Sequence, residues 1–313
     1  MPQNPFFWWA GLLAALLLAP LLLGVINKTK ACFVGRQGPS LLQPYYNLHK
    51  LFRRGCIRTT VSCGPLAWAP GIELSALLLA VLFLPYANQL SPFAFAGDAF
   101  FFAYLLGLGR FALIIGALDT GSSFEGMGAS REVQFSALTE GALFAVIGFL
   151  AFASRSLNLS EMLSCPLPSN IPTVIAAVIL AAGIAFIIML VENCRVPFDD
   201  PETHLELTMI HEAMILDYSG PDLGFILYSA ALKLWLMTAL VVLMLLPGDL
   251  APPGVLFILH LLGIFLGGVV IGAIEAVSAR FRFLKLPQFL LGALCTALIA
   301  LALTVIGTGG GLQ

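Results

Sequence analysis

The sequence predicts an all-α polytopic membrane protein with about eight transmembrane helices. Of its 313 residues, 59% are hydrophobic and only 10% are charged, and the mean hydropathy is +0.97. A soluble domain carries about 25% charged residues, so a water-soluble globule would need more polar surface than this chain supplies. The same composition excludes disordered, collagen-like and small disulfide-rich proteins. The net charge of −2 gives no reason to expect nucleic acid as a partner.

Eight apolar runs are long enough to cross a bilayer, because a spanning helix needs about 20 mostly apolar residues. They cover residues 6–26, 69–88, 98–118, 138–156, 171–191, 225–246, 254–278 and 287–307. The first run starts with aromatic residues and has no basic flank before it, so we expect a retained helix with an interfacial anchor. No Ser/Gly-rich linker interrupts the chain, which predicts one membrane domain over 1–313.

The positions of Lys and Arg predict the orientation of the helices. If both termini lie outside, the cytoplasmic segments are 27–68, 119–137, 192–224 and 279–286. These segments hold twelve of the fifteen basic residues: Lys28, Lys30, Arg36, Lys50, Arg53, Arg54, Arg58, Arg131, Arg195, Arg280, Arg282 and Lys285. By the positive-inside rule we expect the long connections to lie on the cytoplasmic side of the membrane. Such connections are where a multi-pass protein docks a partner or receives a substrate.

Five of the ionisable residues within or at the ends of the apolar runs are functional candidates. They are Arg110, Glu140, Glu192, Lys233 and Glu275. Charges in a bilayer are costly and are functional candidates, and their distribution over five helices suits a proton path. An alternative is that Arg110 and Lys233 pair with acids and lock helices together, while Glu192 and Glu275 reach the interface.

The segment 192–224 carries a second group of acids. Prolines break the preceding helix, and Asp199 lies where a new helix would start. A helix over 202–215 would place Glu202 and Glu206 on one face. Two neighbouring carboxylates in a partly desolvated cavity raise one pKa, so the pair would hold and release a proton near neutral pH. A solvated acidic loop is the alternative.

The remaining polar features point to surfaces rather than to metal chemistry. The bases and aromatic residues of 27–68 predict an amphipathic interfacial helix or a docking surface, although anionic lipid alone would account for the bases. The six cysteines form no CxxC pair, so we expect no zinc or iron–sulfur ligand set in this chain. His204 and His211 are interpreted as interface or hydrogen-bonding histidines.

Several motifs in order resemble one known family. They are Arg36-Gln37-Gly38-Pro39, Leu41-Leu42-Gln43-Pro44, Gly128-Ala129-Ser130-Arg131 with Glu140 nine residues later, Glu192 through Glu206, and Tyr218-Ser219-Gly220. Over nearly its whole length the chain resembles the membrane subunit that joins the two arms of respiratory complex I and of its relatives, the group 4 nickel–iron hydrogenases and formate hydrogenlyases. Arg110, Asp119-Thr120-Gly121-Ser122, Lys233 and the run from Glu275 to Arg282 resemble the hydrogenase branch.

The resemblance implies a membrane subunit that docks a peripheral redox arm and couples its electron transfer to proton or Na⁺ translocation. Its carboxylate relay would comprise Arg110, Glu140, Glu192, Asp199, Glu202, Glu206, Glu212, Lys233 and Glu275. Arg36, Arg131 and Arg195 would anchor the loops or modulate the acids. Iron–sulfur clusters and the nickel–iron centre would lie in partner subunits, namely hydrogenase-type large and small subunits and an iron–sulfur subunit, next to antiporter-like membrane subunits.

Three alternatives remain open from the sequence. The chain would be a quinone-cavity subunit of an NADH:quinone oxidoreductase, with quinone or lipid in its cavity, a purely structural anchor of the catalytic arm, or a stand-alone transporter. No catalysis is expected from the chain alone under any of these.

Overall fold

The computed structural model describes residues 5–59, 62–87, 89–164, 172–199, 209–246, 251–281 and 285–309. Within these ranges the chain forms helices and no strands. The helices are α1 (Pro5–Phe33), α2 (Gln43–Phe52), α3 (Pro65–Leu82), α4 (Asp98–Asp119), α5 (Ser123–Ser154), α6 (Leu159–Ser164), α7 (Pro172–Glu192), α8 (His211–Met214), α9 (Gly220–Leu245), α10 (Pro253–Val277) and α11 (Leu286–Gly309).

Eight of these helices are long and apolar enough to cross a membrane: α1, α3, α4, α5, α7, α9, α10 and α11. The predicted all-helical fold with eight spans is therefore confirmed, while the orientation of the termini stays a prediction. Some boundaries differ: α1 continues to Phe33 and not to 26, α3 covers Pro65–Leu82 and not 69–88, and α9 begins at Gly220 and not at 225. The largest difference is at α5, which begins at Ser123 and not near residue 138. Its first turns carry the charged residues Glu125, Arg131 and Glu132, so a search for apolar runs missed them. Gly121, with a φ of +68°, makes the turn between α4 and α5, a backbone conformation that glycine adopts without strain.

Helix α9 is the central helix of the bundle. It packs against α1, α2, α3, α7 and α10, and it is the most buried of the eight spans. The closest helix pair is α3 with α4. At Gly109 of α4, a Cβ atom would lie 3.3 Å from Cγ of Glu73 on α3, so the small residue permits the approach. Close contact through small residues is the usual basis of helix association in membranes.

Hydrogen bonds tie the loops to both ends of the bundle. At the end that holds the C-terminus of α1 and the N-terminus of α3, which we name the basic end, Asp119 accepts the backbone N–H groups of Cys63 and Leu66 at 3.0 and 3.3 Å. These N–H groups lie at the start of α3, where a helix has no partners of its own. At the opposite end, Nε1 of Trp8 donates to the carbonyl of Leu84 at 3.2 Å.

The predicted amphipathic helix in 27–68 is present as α2, a ten-residue helix with no fully buried residue. The ring of Phe52, at the end of α2, packs edge-on against the ring of Phe225 of α9, with the ring centroids 5.5 Å apart. The hydroxyl of Tyr45 donates to the carbonyl of Leu17 on α1. One face of α2 is thus held against the bundle, while the other carries exposed residues such as Tyr46.

Of the helix considered over 202–215, the described residues contain a single turn. Met209 and Ile210 are not helical, and α8 is a single turn over His211–Met214. The reason is the carboxylate of Asp199, which accepts the backbone N–H groups of Ile210 and His211 at 3.3 and 3.4 Å. These two N–H groups lie at the start of α8, where a helix has no partners of its own for them. The range 200–208 lies outside the described residues, so the proposed shared face of Glu202 and Glu206 remains a prediction.

Candidate functional site

Four charged residues meet in the middle of the bundle, each from a different helix. One guanidinium nitrogen of Arg110 lies 3.1 Å from Oε1 of Glu192, and another lies 3.1 Å from Oε1 of Glu140. The ammonium of Lys233 lies 3.0 Å from Oε2 of Glu192. Helices α4, α5, α7 and α9 thus supply one residue each to what we call the central charge cluster (Arg110, Glu140, Glu192, Lys233).

Burial makes the pairing within this cluster necessary. The side chains of Arg110 and Glu192 are 6% and 3% exposed. A charge removed from water costs several kcal/mol unless a partner of opposite sign and hydrogen bonds compensate it, and two bases face two acids here. The sequence-based alternative that Arg110 and Lys233 pair with acids on other helices describes this geometry. Such pairing is also compatible with proton movement. Arg110 contacts both acids and Glu192 contacts both bases, so protonation of one carboxylate would weaken the ion pairs that it makes.

Glu140 differs from the other members because it faces outward. Its side chain is 44% exposed, in a groove on the flank of the bundle lined by apolar and aromatic side chains of α4, including Phe101, Tyr104 and Phe111. The groove lies between α4 and α5. The cluster therefore extends from the lateral surface of the bundle at Glu140 to its interior at Glu192 and Lys233.

The central charge cluster borders a small cavity of about 40 Å³. Two acids that the sequence reasoning missed line it, Glu73 of α3 and Glu132 of α5. Glu73 is the only charged residue in the run 69–88, so the rule that singled out Arg110 and Lys233 would have found it. Glu132 lay in a segment interpreted as a connection, and only the early start of α5 brings it to the cavity.

Asp199 organises the loop that follows α7. Its Oδ1 lies 2.6 Å from the guanidinium of Arg280, which follows α10, and its Oδ2 receives the two N–H groups before α8. Asp199 is 3% exposed, and it lines a narrow pocket together with Glu192 and Arg110. The structure thus brings Asp199 next to the central charge cluster while holding it in fixed contacts.

A second ion-pair group lies where α1 meets α10. Oε2 of Glu275 lies 3.2 Å from Nζ of Lys30, and Oε1 lies 3.4 Å from a guanidinium nitrogen of Arg195. The side chain of Glu275 is fully buried. Arg195 therefore links the loop after α7 to α10. Of the other predicted loop anchors, Arg131 donates to the carbonyl of Met209 at 2.8 Å. Arg36 is exposed, and its backbone N–H bonds the carbonyl of Ala31 at 2.8 Å.

A large cavity of about 400 Å³ lies beside these loops. Its walls come from α1, α2, α9 and the segments around Asn193 and His211. Glu212 lines this cavity, together with Asp199 and Arg195. Cys194 and His211 line both the large and the small cavity, so they lie between the loops and the central charge cluster. Glu202 and Glu206 lie outside the described residues.

Burial shifts the titration of the groups between the two cavities. It lowers the pKa of His211 to about 4, and the positive charge of Lys233 adds to this effect. His211 is therefore neutral at physiological pH and able to donate and accept hydrogen bonds. Burial also raises the pKa of the Cys194 thiol well above its ordinary value, so this cysteine remains protonated and unreactive.

Within the part of the chain that the structure describes, no three His, Cys, Asp or Glu side chains come together in a group that would hold a metal ion. The ionisable residues instead form ion pairs and line cavities. The carboxyl, amine and imidazole side chains in this arrangement are groups that can bind and release protons.

Comparison with known proteins places the chain in a family. Residues 8–306 match the family model described as NADH dehydrogenase. The chain is 34% identical over 277 residues to hydrogenase-4 component C of Escherichia coli (strain K12), covering 86% of each chain. It is 30% identical over 286 residues to formate hydrogenlyase subunit 4 of the same organism, covering 87% of this chain and 89% of that protein.

More distant relatives complete the comparison. A subunit of the NADH-quinone oxidoreductase of Wolbachia pipientis wMel is 26% identical over 311 residues, covering 87% of this chain and 88% of that protein. Among solved structures, a chain of the membrane-bound sulfane sulfur reductase, an archaeal respiratory membrane complex, superposes with a TM-score of 0.79 at 18% identity, covering 96% of this chain and 98% of that one. That likeness concerns the fold. With a family model matched over almost its whole length and two relatives at 30% identity or more, this chain belongs to the NADH dehydrogenase family of membrane subunits.

Proposed function

We propose that this chain is the membrane subunit of a multi-subunit respiratory complex of the hydrogenase or formate hydrogenlyase type. It docks a peripheral redox arm and couples the electron transfer of that arm to translocation of protons or Na⁺. The observation that carries the proposal is the central charge cluster, in which two bases and two acids from four helices form ion pairs, with Glu140 on the flank and the charges of Arg110, Glu192 and Lys233 largely buried. A protein that only filled space would avoid the cost of burying them.

The proposed relay runs from the loops to the flank of the bundle. Redox chemistry in the docked arm changes the charge around Glu202, Glu206 and Asp199. The change reaches Glu192 through the narrow pocket that Asp199 and Glu192 share, and passes through Arg110 to Glu140. The outward groove at Glu140 would then face an antiporter-like membrane subunit, which moves the ion.

The other predicted residues have supporting parts in this proposal. Lys233 balances Glu192, and Glu275 extends the polar path towards α1. Arg131 and Arg195 hold the loops that carry the acids. Arg36 lies on the exposed surface next to α2 and would touch the docked arm, and Glu212 lines the large cavity.

The proposed partners follow from the two more similar relatives. They are hydrogenase-type large and small subunits, which carry the nickel–iron centre, an iron–sulfur subunit and antiporter-like subunits in a prokaryotic cytoplasmic membrane. A pull-down of the tagged chain from its native membrane in mild detergent, with mass spectrometry of the co-purifying proteins, tests this assignment. Recovery of the chain alone, from a preparation in which a known complex stays intact, would favour a stand-alone transporter instead.

The coupling role is tested with Glu140→Gln in the assembled complex. We expect electron transfer to continue while ion translocation is lost, since glutamine keeps the size of the side chain and cannot carry a proton. Glu161→Gln is the matched control, because Glu161 is an exposed acid on α6, away from the central charge cluster. If Glu140→Gln, Glu192→Gln and Glu206→Gln all assemble and pump as the wild type does, the chain is a structural anchor.

A second candidate function, a quinone-cavity subunit, is favoured by the large cavity. Its volume of about 400 Å³ falls in the range of small-molecule sites, about 300–1,000 Å³. A photoreactive quinone analogue added to the complex would label α1, α2 or the segment around His211 if quinone enters there. Labelling confined to partner subunits, or displaced by phospholipid but not by quinone, would assign the cavity to lipid.

A further inference from the structure

Helix α1 has a proline in its middle. The chain is helical from Pro5 to Phe33, with Pro20 inside this range. Because proline has no backbone N–H, the carbonyl of Leu16, four residues earlier, loses its partner in the helix. A carbonyl without a partner is costly in a membrane, where neighbouring helices and side chains supply the missing hydrogen bond.

Tyrosines of two other helices bind α1 at this break. The hydroxyl of Tyr228 on α9 donates to the carbonyl of Leu16 at 2.9 Å, and this is the acceptor that Pro20 leaves free. The hydroxyl of Tyr45 on α2 donates to the next carbonyl, that of Leu17. The proline break thus joins α1 both to the central helix of the bundle and to the amphipathic helix.

The two tyrosine bonds differ in what their loss would cost. The Leu16 carbonyl has no second donor in α1, because residue 20 is proline, so loss of the Tyr228 hydroxyl would leave it unpaired. The Leu17 carbonyl has the N–H of Leu21 as its regular helical partner. Loss of the Tyr45 hydroxyl would therefore leave no unpaired carbonyl on α1, and this is the contact that can open at low cost.

The chain between α1 and α2 runs back along α1. A Cβ atom at Gly24 of α1 would overlap the carbonyl oxygen of Leu41, and the bond of Tyr45 to Leu17 lies about two turns nearer the N-terminus of α1. The side chain of Leu17 is 65% exposed on a helix that is long and apolar enough to cross a membrane. The start of α2 therefore lies at a lipid-facing surface of the bundle.

Helix α2 forms one wall of the large cavity. The residues of α1 and α2 that line this cavity include Pro20, Leu23, Pro44, Asn47 and Leu48. The proline break and the helix attached to it thus border the same space. The opposite side of α2 carries Tyr46, which is 60% exposed, so α2 stands between the cavity and the surroundings of the bundle.

The segment that contains α2 is fixed at both ends. Near the end of α1, Nζ of Lys28 donates to the carbonyl of Gln37 at 2.6 Å. After α2, Nε of Arg58 lies 2.8 Å from Oδ2 of Asp222 on α9. Between these two anchors, Tyr45 fastens the start of α2 to α1. We name residues 38–57 the strap.

We propose that the strap is a lid on the large cavity, and that the hydroxyl of Tyr45 at the Pro20 break of α1 keeps this lid closed towards the bilayer. When the hydroxyl leaves the Leu17 carbonyl, the first turns of α2 move away from α1, and molecules dissolved in the bilayer reach the cavity. Tyr228 stays on the Leu16 carbonyl. The inference goes beyond the proposed function, because it concerns access to the cavity and not the transfer of protons.

The first experiment is photolabelling of Tyr45→Phe, in the whole complex in lipid nanodiscs, with a small aryl diazirine dissolved in the lipid. Labelling of residues 193–195, which line the cavity, should rise about threefold to tenfold, the population change that corresponds to one hydrogen bond. Tyr46→Phe is the matched control, since it removes an exposed hydroxyl from the same helix. Labelling at the wild-type level in Tyr45→Phe, or an equal rise in Tyr46→Phe, would overturn the lid.

The second experiment locates the motion by hydrogen exchange and mass spectrometry of the same variants. The backbone N–H groups of residues 47–52 should exchange faster in Tyr45→Phe and at the wild-type rate in Tyr46→Phe. The N–H of Ile57, which donates to Oγ of Ser219 at 2.9 Å, should keep its rate, because the anchored end of the strap stays in place. Equally faster exchange at Ile57 would mean that the whole segment unfolds, which contradicts a lid.

The third experiment tests the proline break by a double-mutant cycle. Pro20→Ala restores an N–H for the Leu16 carbonyl, so Tyr228→Phe should lower the melting temperature less in Pro20→Ala than in the wild type. Tyr86→Phe is the control, because the hydroxyl of Tyr86 has no hydrogen-bond partner among the described residues, and its effect should be the same in both backgrounds. Equal losses for Tyr228→Phe in the two backgrounds would overturn the role of Pro20 in the lid.

Discussion

Glu192, the last residue of α7, binds Arg110 of α4 at 3.1 Å in the interior of the bundle. This pair joins two helices that have few contacts of their own, and it reaches Glu140 on the flank through the same guanidinium. The helix end at Glu192 is also where the loop to Asp199 begins. Arg110 thus connects the loop side of the molecule to its lateral surface, and it is the first place to test the stability of the cluster.

We expect Arg110→Met to destabilise the protein by about 3 kcal/mol, because removing one partner of a buried pair leaves an uncompensated charge. Thermal unfolding in detergent measures the effect. In the double variant Arg110→Met/Glu140→Gln, part of the stability should return, since one unpaired acid is neutralised. Lys50→Met, at an exposed position of α2, is the control, and an equal loss in both single variants would contradict the buried role of Arg110.

Gly116→Ala should destabilise the protein by about 1–3 kcal/mol, the usual effect of overpacking. The added Cβ would overlap the hydroxyl of Tyr218. Combining it with Tyr218→Phe removes the overlapping atom, so the double variant should recover most of the loss. Gly183→Ala of α7 is the matched control, because its Cβ would meet no atom within 4 Å. A loss that persists in the double variant would mean that Ala69 and not Tyr218 limits the space.

Asp199→Ala should loosen the segment before α8. The variant removes the ion pair with Arg280 and both hydrogen bonds to backbone N–H groups, and loss of such a buried network costs about 3 kcal/mol. Hydrogen exchange followed by mass spectrometry should show faster exchange at Ile210 and His211. Exchange there at the wild-type rate would show that these contacts do not hold the segment, and Glu161→Ala serves as the exposed-acid control.

His211 predicts a defined pH dependence of stability. Burial and the charge of Lys233 lower its pKa from 6.5 to about 4, so between these values the unfolded chain binds the proton more strongly than the folded one. Its contribution is fully present above pH 6.5 and is lost as the pH falls towards 4. A shift of this size corresponds to about 3 kcal/mol.

The measurement is the melting temperature of His211→Gln and wild type at several pH values from 4 to 8. The variant should lose less stability than the wild type between pH 6.5 and 4. His49→Gln changes an exposed histidine of α2 and should keep the wild-type profile. Parallel profiles for His211→Gln and wild type would mean that His211 does not titrate with folding.

The number of spans and most helix ends could be predicted from the sequence because apolar length alone decides whether a segment crosses a bilayer. Pro197 gave a further boundary, because a proline breaks the helix that precedes it, and α7 ends at Glu192. The start of α5 could not be predicted in this way, because its first turns are polar. These turns pack against the start of α8. A Cβ at Gly128 of α5 would lie 2.9 Å from the carbonyl oxygen of Ile210, the residue before α8, and this contact exists only in the folded chain.

The candidate site shows the same division. Arg110, Glu140, Glu192 and Lys233 were evident from the sequence, since a charge inside an apolar run is rare and costly. Their partners were not, because residues as far apart in the chain as Arg110 and Glu192 meet only after the helices pack. The contacts of Asp199 with Arg280 and with the backbone at the start of α8 could not be predicted from the sequence for the same reason.

The sequence by itself determined that this is a helical protein with eight segments apolar and long enough to span a membrane, and that Arg110, Glu140, Glu192 and Lys233 lie within or at the ends of such segments, because hydropathy depends on local composition. Its ordered motifs also pointed to the family. Only the tertiary structure decided which acid binds which base, that Glu140 faces outward, and that Glu73 lines the same small cavity as Glu192 and Lys233. Those relationships depend on helix rotation and on close approaches such as the one at Gly116, which no linear pattern encodes.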